Sequence, residues 1–491
     1  MQNAHNPIEY LYYYAKQRPD HVAIQGLGWS VSYRELLRLV RSAATKLRAC
    51  GLDSGDVVLT TLGDKQIDWV ISLALMHEAI PSCSGHDYTD YAELLKPSLW
   101  ITDRQPPKGS ETELLVVDNA WINDVNAIDP ALTYRNFAHA DATLRIALTS
   151  GTTGLSKRTH HTLRRVVAAT ADASTHQVSA RSISLMRLSS AWGFRQALSV
   201  LFKGSTLYHA NTFVELAALI DQHRIESIMG STMQISALAA HFETTTQRPV
   251  TLQEVIYSGS KASPKQLDTI RTNLCPTVVC HFGATEIGVA TRCFLHDPKR
   301  VAGGVGYALP GVELQIVDDA DQPLPEGVEG ILRVRTPYMV AGYEGDDKES
   351  AAHFRDGWFY TGDTAAIESG GMLALRGRLR EIINLGGVKI DPARIDDVTL
   401  SYPGVTDAAA FTFVSTDGSE TLSVAVVSED TVDLTPLPHH VGANLGPLVT
   451  PRYVIRVPHI PRNGMGKIVR TELTRLYGDT LRTESSRRMG N

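Results

Sequence analysis

Between two apolar stretches the chain reads Thr149-Ser150-Gly151-Thr152-Thr153-Gly154-Leu155-Ser156-Lys157. Hydroxyls, glycines and a terminal lysine make a loop whose backbone N–H groups and side chains can wrap a polyphosphate, with Lys157 as a point charge. A Walker A loop needs Gly directly before the lysine and a helix opening there. Here Ser156 precedes Lys157 and Arg158 follows it, so a P-loop kinase or GTPase is disfavoured. Further along lie His281-Phe282-Gly283-Ala284-Thr285-Glu286, Phe359-Tyr360-Thr361-Gly362-Asp363, Gly377-Arg378-Leu379-Arg380-Glu381 and Gly386-Gly387-Val388-Lys389-Ile390. Last comes Pro461-Arg462-Asn463-Gly464-Met465-Gly466-Lys467-Ile468. Taken singly, Thr361–Asp363 is an ordinary turn, Phe282 a core residue and Lys467 a solvated lysine.

Elements able to position these groups are legible around them. Ser32-Tyr33-Arg34-Glu35 has capping-box spacing, and Leu36, Leu37, Val40, Ala43 and Leu47 continue at helical period to Gly51. Strand-like runs at 57–62, 144–148, 183–187, 205–208, 225–229, 254–257 and 278–282 alternate with helical patterns at 66–78, 213–224 and 264–273. That alternation predicts doubly wound parallel α/β layers over the first ~290 residues. After about Cys293 short β segments (312–317, 331–334) between Gly/Pro turns predict a small antiparallel sheet or barrel. From Arg380 a third pattern begins, with Asp391-Pro392 as N-cap and N1 of a helix to Leu400 and strands at 408–414, 422–427 and 453–457. The expected organisation is a large domain over 1–379, with a β-rich subdomain at about 294–376, and a small α+β domain over 380–491. Residues 483–491 read as frayed.

Composition bounds the partners. The 491 residues are 43% hydrophobic and 20% charged, with 47 Lys+Arg against 53 Asp+Glu, a net charge of −6. Such a chain folds, and has no global electrostatic reason to bind nucleic acid or anionic lipid. Five cysteines without metal spacing, no signal-like N-terminus and no long apolar run predict a reduced cytoplasmic protein without membrane insertion. The adjacent pair His160-His161 has no third ligand spaced nearby.

The five motifs together, counting Gly377–Glu381 and its continuation Gly386–Ile390 as one, in order over essentially the whole chain, resemble the adenylate-forming superfamily of acyl- and aryl-CoA synthetases, peptide-synthetase adenylation domains and luciferases. The wording at Asn463–Lys467 is most similar to acyl- or aryl-CoA ligases. The resemblance implies ATP-dependent conversion of a small carboxylic acid to an acyl-adenylate with release of pyrophosphate, then transfer to the thiol of CoA. The alternatives are a stand-alone ligase loading the phosphopantetheine of a carrier protein in trans, and a non-catalytic nucleotide- or acyl-binding homologue.

On this resemblance the loop Thr149–Gly154 and Lys157 hold ATP phosphates. Glu286 helps hold Mg2+, Thr285 lies near the α-phosphate, and His281, Phe282 and Gly283 belong to the nucleotide segment, with Phe282 flanking adenine. Asp363 accepts from the ribose hydroxyls beside Arg378, and Lys467 bridges the acid and the nucleotide during adenylation. Arg380 stands at the hinge, where the family has Asp or Lys, and Gly386 and Gly387 line the thiol passage. Trp192, Phe194, Ser258, Gly259, Ser260 and Val289 are the expected pocket walls. Leu188–Phe194 holds no acid to pair an ammonium, so an α-amino acid is disfavoured and an apolar aryl or short-to-medium acyl acid is favoured. Ala191 replaces a histidine frequent in CoA ligases. Ser156 and Arg158 replace the usual Pro and Gly, so Arg158 adds a cation beside the phosphate loop.

Overall fold

Val58–Thr61 and Leu99–Thr102 are buried at every position, as strands covered on both faces must be. In the computed structural model, which describes residues 5–85, 89–104, 112–128, 130, 132–149, 157–176, 179, 181–245, 248–295, 303–379, 383–385, 388–415, 420–463 and 466–489, they belong to a six-stranded sheet. Its order is Glu113–Val116, Leu99–Thr102, Val58–Thr61, Ser82–Ser84, Thr143–Thr149, Lys157–Thr162. Its pairs are parallel except the last, which is antiparallel. The helix Lys65–His77 starts where Asp64 accepts from the Gln66 and Ile67 amides at 2.8 and 2.9 Å. It is buried continuously from Asp68 to His77, so neighbours cover it on all sides.

The second sheet begins with four parallel strands, Ser182–Ser184, Ser227–Ser231, Glu254–Ser258 and Val278–Ala284. Helices Phe213–His223, Thr232–Glu243 and Pro264–Asn273 cover one face through Leu216, Ile220, Ile235, Leu238 and Ile270. On the other face Met229, Ile256 and Val279 pack with Trp192 of the helix Ala191–Lys203. The chain then reverses at Thr285–Ile287, and Gly288–Phe294 runs antiparallel to Val278–Ala284. Six further strands follow in the same eleven-stranded sheet. The β-rich stretch expected after Cys293 is therefore an extension of the parallel sheet and not a closed sheet of its own. The reversal is close enough that a Cβ on Gly283 would stand 2.1 Å from the Gly288 carbonyl oxygen.

The C-terminal part has its own three-stranded sheet, Val405–Val414, Glu420–Ser428 and Tyr453–Arg456. Helix Pro392–Leu400 starts as its sequence demands, with Asp391 accepting from the Ala393 amide at 3.1 Å. It packs on one face with Leu437–Leu445, a helix the sequence reading did not separate from the polar stretch around it. The last helix, Arg470–Met489, covers the other face. This corrects the expectation of a frayed end from Thr483. Leu473, Tyr477 and Leu481 recur at i+4 and dock on the sheet, and propagation past a seated stripe needs no new nucleus.

Candidate active site

The antiparallel pair that closes the first sheet sets Thr149 opposite Lys157, so both ends of the segment expected to bind phosphate are fixed. Thr149 Oγ1 is buried without a hydrogen-bond partner among the described residues. Ser150, Gly151, Thr152, Thr153 and Gly154 lie outside the described residues. Lys157 Nζ is paired with Glu349 and stands 4.7 Å from the centre of the Tyr343 ring. The Tyr343 hydroxyl in turn donates to Glu286 Oε1 at 2.8 Å. The lysine after the loop and the carboxylate of the hairpin are thus joined through one tyrosine, which the sequence reading missed.

Arg158 does not project into the loop as a bare cation. Its Nε lies 3.5 Å from Glu344, which also pairs with His160. Glu349 neutralises Lys157 with both side chains largely sheltered. A charge-assisted hydrogen bond between such sheltered groups is worth about 1.5–3 kcal/mol, so Glu349→Ala is expected to lower KM for ATP by about tenfold or more. An ATP titration in pyrophosphate exchange measures it, and an increase in KM would contradict this placement of Lys157.

Glu286 is buried at the turn between Val278–Ala284 and Gly288–Phe294, with Thr285 beside it. Along the first of these strands side chains alternate. Phe282 and Ala284 pack toward the β-rich core containing Ile287 and Leu332. His281 faces the other way, 6.2 Å from Trp192 between ring centres. It lines a cavity with Met229, Ile256, Val289, Arg195 and Tyr338. His281, expected with the nucleotide segment, thus has its strand face on the cavity.

Ser258 pairs with His281 and with Ser231 across the parallel strands, which extends the same face toward their carboxyl ends. Gly259 and Ser260 follow, and the Ser260 carbonyl accepts from Thr232 at 2.5 Å. Crevices outside the carboxyl ends of parallel strands are where open α/β sheets bind ligands. Phe194 does not line this cavity. It is 3% exposed, meets Trp69 edge-on at 6.2 Å and carries the Arg145 guanidinium 4.4 Å from its ring centre. Two residues after Trp192 on a helix is the opposite side, so the spacing itself argued against it.

Behind the cavity, burial first and then Arg195, Arg145 and Arg165 push His161 down to about 3. Its ordinary value is near 6.5, so between those two pH values the unfolded chain takes up a proton that the folded chain refuses. The contribution of His161 to stability is therefore full above pH 6.5 and is lost as pH falls toward 3. His161→Gln is expected to flatten the acid limb of the stability curve by up to about 1.4 kcal/mol per pH unit. Denaturant melts at pH 7.5 and 5 read it, and an unchanged difference between them would refute it.

Thr361-Gly362-Asp363 lies inside the strand Trp358–Ile367, not in a turn. Gly362 takes φ +78° there, and the Asp363 amide donates to Thr361 Oγ1 at 3.0 Å. Asp363 pairs across the sheet with Arg378, whose Nε lies 3.1 Å from its carboxylate. Asp363 is 6% exposed, so its side chain is held by the sheet and by the guanidinium.

The Gly-Lys segment reaches the large α/β part. Gly466, at φ +79°, is buried, and a Cβ there would stand 3.1 Å from Cβ of Met233. Met233 is the second residue of the helix that Ser231 caps, so the loop rests at the carboxyl end of the strand Ser227–Ser231. The Lys467 amide donates to Asn463 Oδ1 at 3.0 Å, which shapes the loop. Nearby Lys261 reaches Asp397 of the helix Pro392–Leu400 at 2.5 Å. Both of those side chains are well exposed, so the bridge contributes little, about 0–1 kcal/mol. Arg380, Gly386 and Gly387 lie outside the described residues.

The site's donors suit a nucleotide with a hard cation. Glu286 offers carboxylate oxygen, and among the described residues no three His, Cys, Asp or Glu side chains form a cage. Mg2+ characteristically takes one or two carboxylates plus substrate phosphates.

Parallel sheets with a loop before Lys157, a buried acid on a hairpin, an Asp–Arg pair and a Gly-Lys loop at the strand ends define an adenylate-forming enzyme. A family model described as AMP-binding enzyme matches residues 11–344, and the chain belongs to that family. It is 28% identical over 489 residues to 4-coumarate–CoA ligase-like 9 of Arabidopsis thaliana, covering 92% of this chain and 86% of that one. Feruloyl-CoA synthase of Amycolatopsis sp is 26% identical over 489 residues, with 94% and 97% covered. Among solved structures, ATP-bound MatB from Rhodopseudomonas palustris shares the fold with a TM-score of 0.86, covering 98% of this chain and 100% of that one at 23% identity. The class is that of AMP-forming acid–thiol ligases. No helix among the described residues is long and apolar enough to cross a membrane.

Proposed function

We propose that the protein activates an aryl or short-to-medium acyl acid with ATP and passes the acyl group to the thiol of CoA. The observation that carries this reading is the seat of the Gly466–Lys467 loop against Met233 at the strand ends, next to Ser231, which is in register with Ser258 and through it with His281 of the cavity wall. The acid carboxylate attacks the α-phosphorus of ATP; the new C–O–P linkage forms and pyrophosphate leaves. Lys467 offsets the negative charge brought together in that step, and Thr285 lies close to the α-phosphate. Thr149, the loop after it and Lys157 hold the outer phosphates once Lys157 exchanges Glu349 for phosphate oxygen. Glu286, oriented by Tyr343, would hold Mg2+, which supplies charge neutralisation on the phosphates. Asp363 takes the ribose hydroxyls with Arg378 fixing its carboxylate.

Residues 1–379 serve as the platform and 380–491 as the mobile part, turning near Arg380 so that Lys467 withdraws and Gly386-Gly387 opens the thiol passage. The weak Lys261–Asp397 bridge is compatible with such a turn. ATP–pyrophosphate exchange across aryl and acyl acids tests the first step. Thioester formation with CoA against a phosphopantetheinyl carrier protein then tests the acceptor. No exchange with any acid overturns the reading, and transfer only to the carrier overturns the choice of CoA.

A further inference from the structure

The cavity is not the apolar slot that Trp192 alone suggests. Arg195 follows Trp192 by three residues on the helix Ala191–Lys203 and therefore shares its face. It lines the cavity with Asp172, His281, Arg292 and Tyr338. A Cβ on Gly288 would stand 2.8 Å from Arg195 Nη1 and 3.0 Å from the Tyr338 ring, so the guanidinium lies over the hairpin that carries Glu286. Its Nε is buried with no hydrogen-bond partner among the described residues.

The other charged groups of the cavity are already engaged. Arg292 pairs with Glu254 at 3.0 Å and stacks on Phe294. Asp172 accepts from the Tyr338 hydroxyl at 3.1 Å. Burial first, and Arg195 next with Arg145 and Arg165, hold His161 down, so Arg195 keeps a positive charge close to this side of the sheet. Burial opposes the Arg195 charge, and the neighbouring Tyr338 and Asp172 offset that only in part; an arginine does not shed its charge in a protein, so its buried Nε is left seeking an acceptor. Its planar fork matches a carboxylate, or another group with two acceptor lone pairs.

We propose that the preferred acid carries, at the end away from the carboxylate being activated, a second anionic or strongly hydrogen-bond-accepting group, and that Arg195 is the residue that reads it. This rests on the acid-activating reading of the site and narrows its substrate class. Arg195 is then a specificity-determining residue: it contacts the far end of the substrate and not the reacting atoms.

The test compares matched pairs in ATP–pyrophosphate exchange, benzoate against terephthalate and hexanoate against adipate, with 4-hydroxybenzoate as the uncharged acceptor. Wild type is expected to favour the member with the far acceptor by about 10- to 100-fold in kcat/KM, the worth of a charge-assisted hydrogen bond. Arg195→Met collapses that ratio chiefly through KM, and Arg195→Lys recovers part of it; melting curves of both variants confirm folding. A wild-type preference for the plain acids, or a ratio unchanged in Arg195→Met, overturns the proposal while leaving acid activation standing. If no acid supports exchange, the function itself falls, and calorimetric titration with the same acids still decides the role of Arg195. Terephthalate or adipate binding wild type but not Arg195→Met supports it, and equal or absent binding overturns it.

Discussion

Lys467→Ala is expected to cut ATP–pyrophosphate exchange by about 10²- to 10³-fold, the scale for losing one charge-stabilising donor at a reacting centre. The loss falls on kcat. KM for ATP stays within about threefold, because on the proposed reading Lys157, Asp363 and Arg378 still hold the nucleotide. The expectation follows from position: Gly466 is pinned against Met233 at the carboxyl end of Ser227–Ser231, and the next residue is the lysine. The Lys467 amide, which alanine keeps, ties the loop to Asn463, and a melting curve of the variant checks that it keeps its fold. A drop in kcat/KM carried entirely by KM for ATP would assign Lys467 to ground-state nucleotide binding instead.

Asp363→Ala is expected to give the complementary result. Losing one or two hydrogen bonds to a charged acceptor raises KM for ATP by about 10- to 10³-fold, with kcat at saturation much less affected. The mutation also removes the partner of Arg378, but that guanidinium is 36% exposed and water takes over, so the melting temperature shifts by only a few degrees. Asp363→Asn, which keeps one acceptor oxygen, falls between wild type and the alanine variant. Exchange kinetics at varied ATP and fixed acid measure both. A fall in kcat with KM for ATP unchanged would place Asp363 elsewhere in the reaction.

On the proposed reading the two variants separate a part that grips the nucleotide from a part that acts on the reacting carboxylate. Many of the elements that position these residues are readable in the chain. Asp391-Pro392 and Ser32 start helices because capping is local chemistry, decided within four residues. Pro264–Asn273 and Val278–Ala284 follow from apolar periodicity in the same way.

What sequence reading lost were relations between distant elements. That Tyr343 joins Lys157 to Glu286, or that Arg158 finds Glu344, depends on a connecting segment bridged at Glu344 to Arg158, far from it along the chain. Phe194 was read as a wall because it is aromatic and follows Trp192, although helical spacing already turned it toward Trp69 and Arg145. The same spacing pointed to Arg195, which charge made easy to dismiss as surface. His281 was grouped by its neighbours in sequence, whereas strand alternation sends it into the cavity and Phe282 to the far side. At the C-terminus, polar composition suggested fraying, but three docked residues are enough to seat the helix.

The claim on which the rest depends is that a lysine borne by the small part serves adenylation and nothing after it. The most direct measurement gives Lys467→Ala a chemically prepared acyl-adenylate and CoA, and compares the rate of thioester formation with that of wild type. The account predicts that this second step runs within about threefold of wild type while pyrophosphate exchange by the same preparation is down by about 10²-fold or more. Equal losses in both steps, or a loss in thioester formation alone, would contradict it.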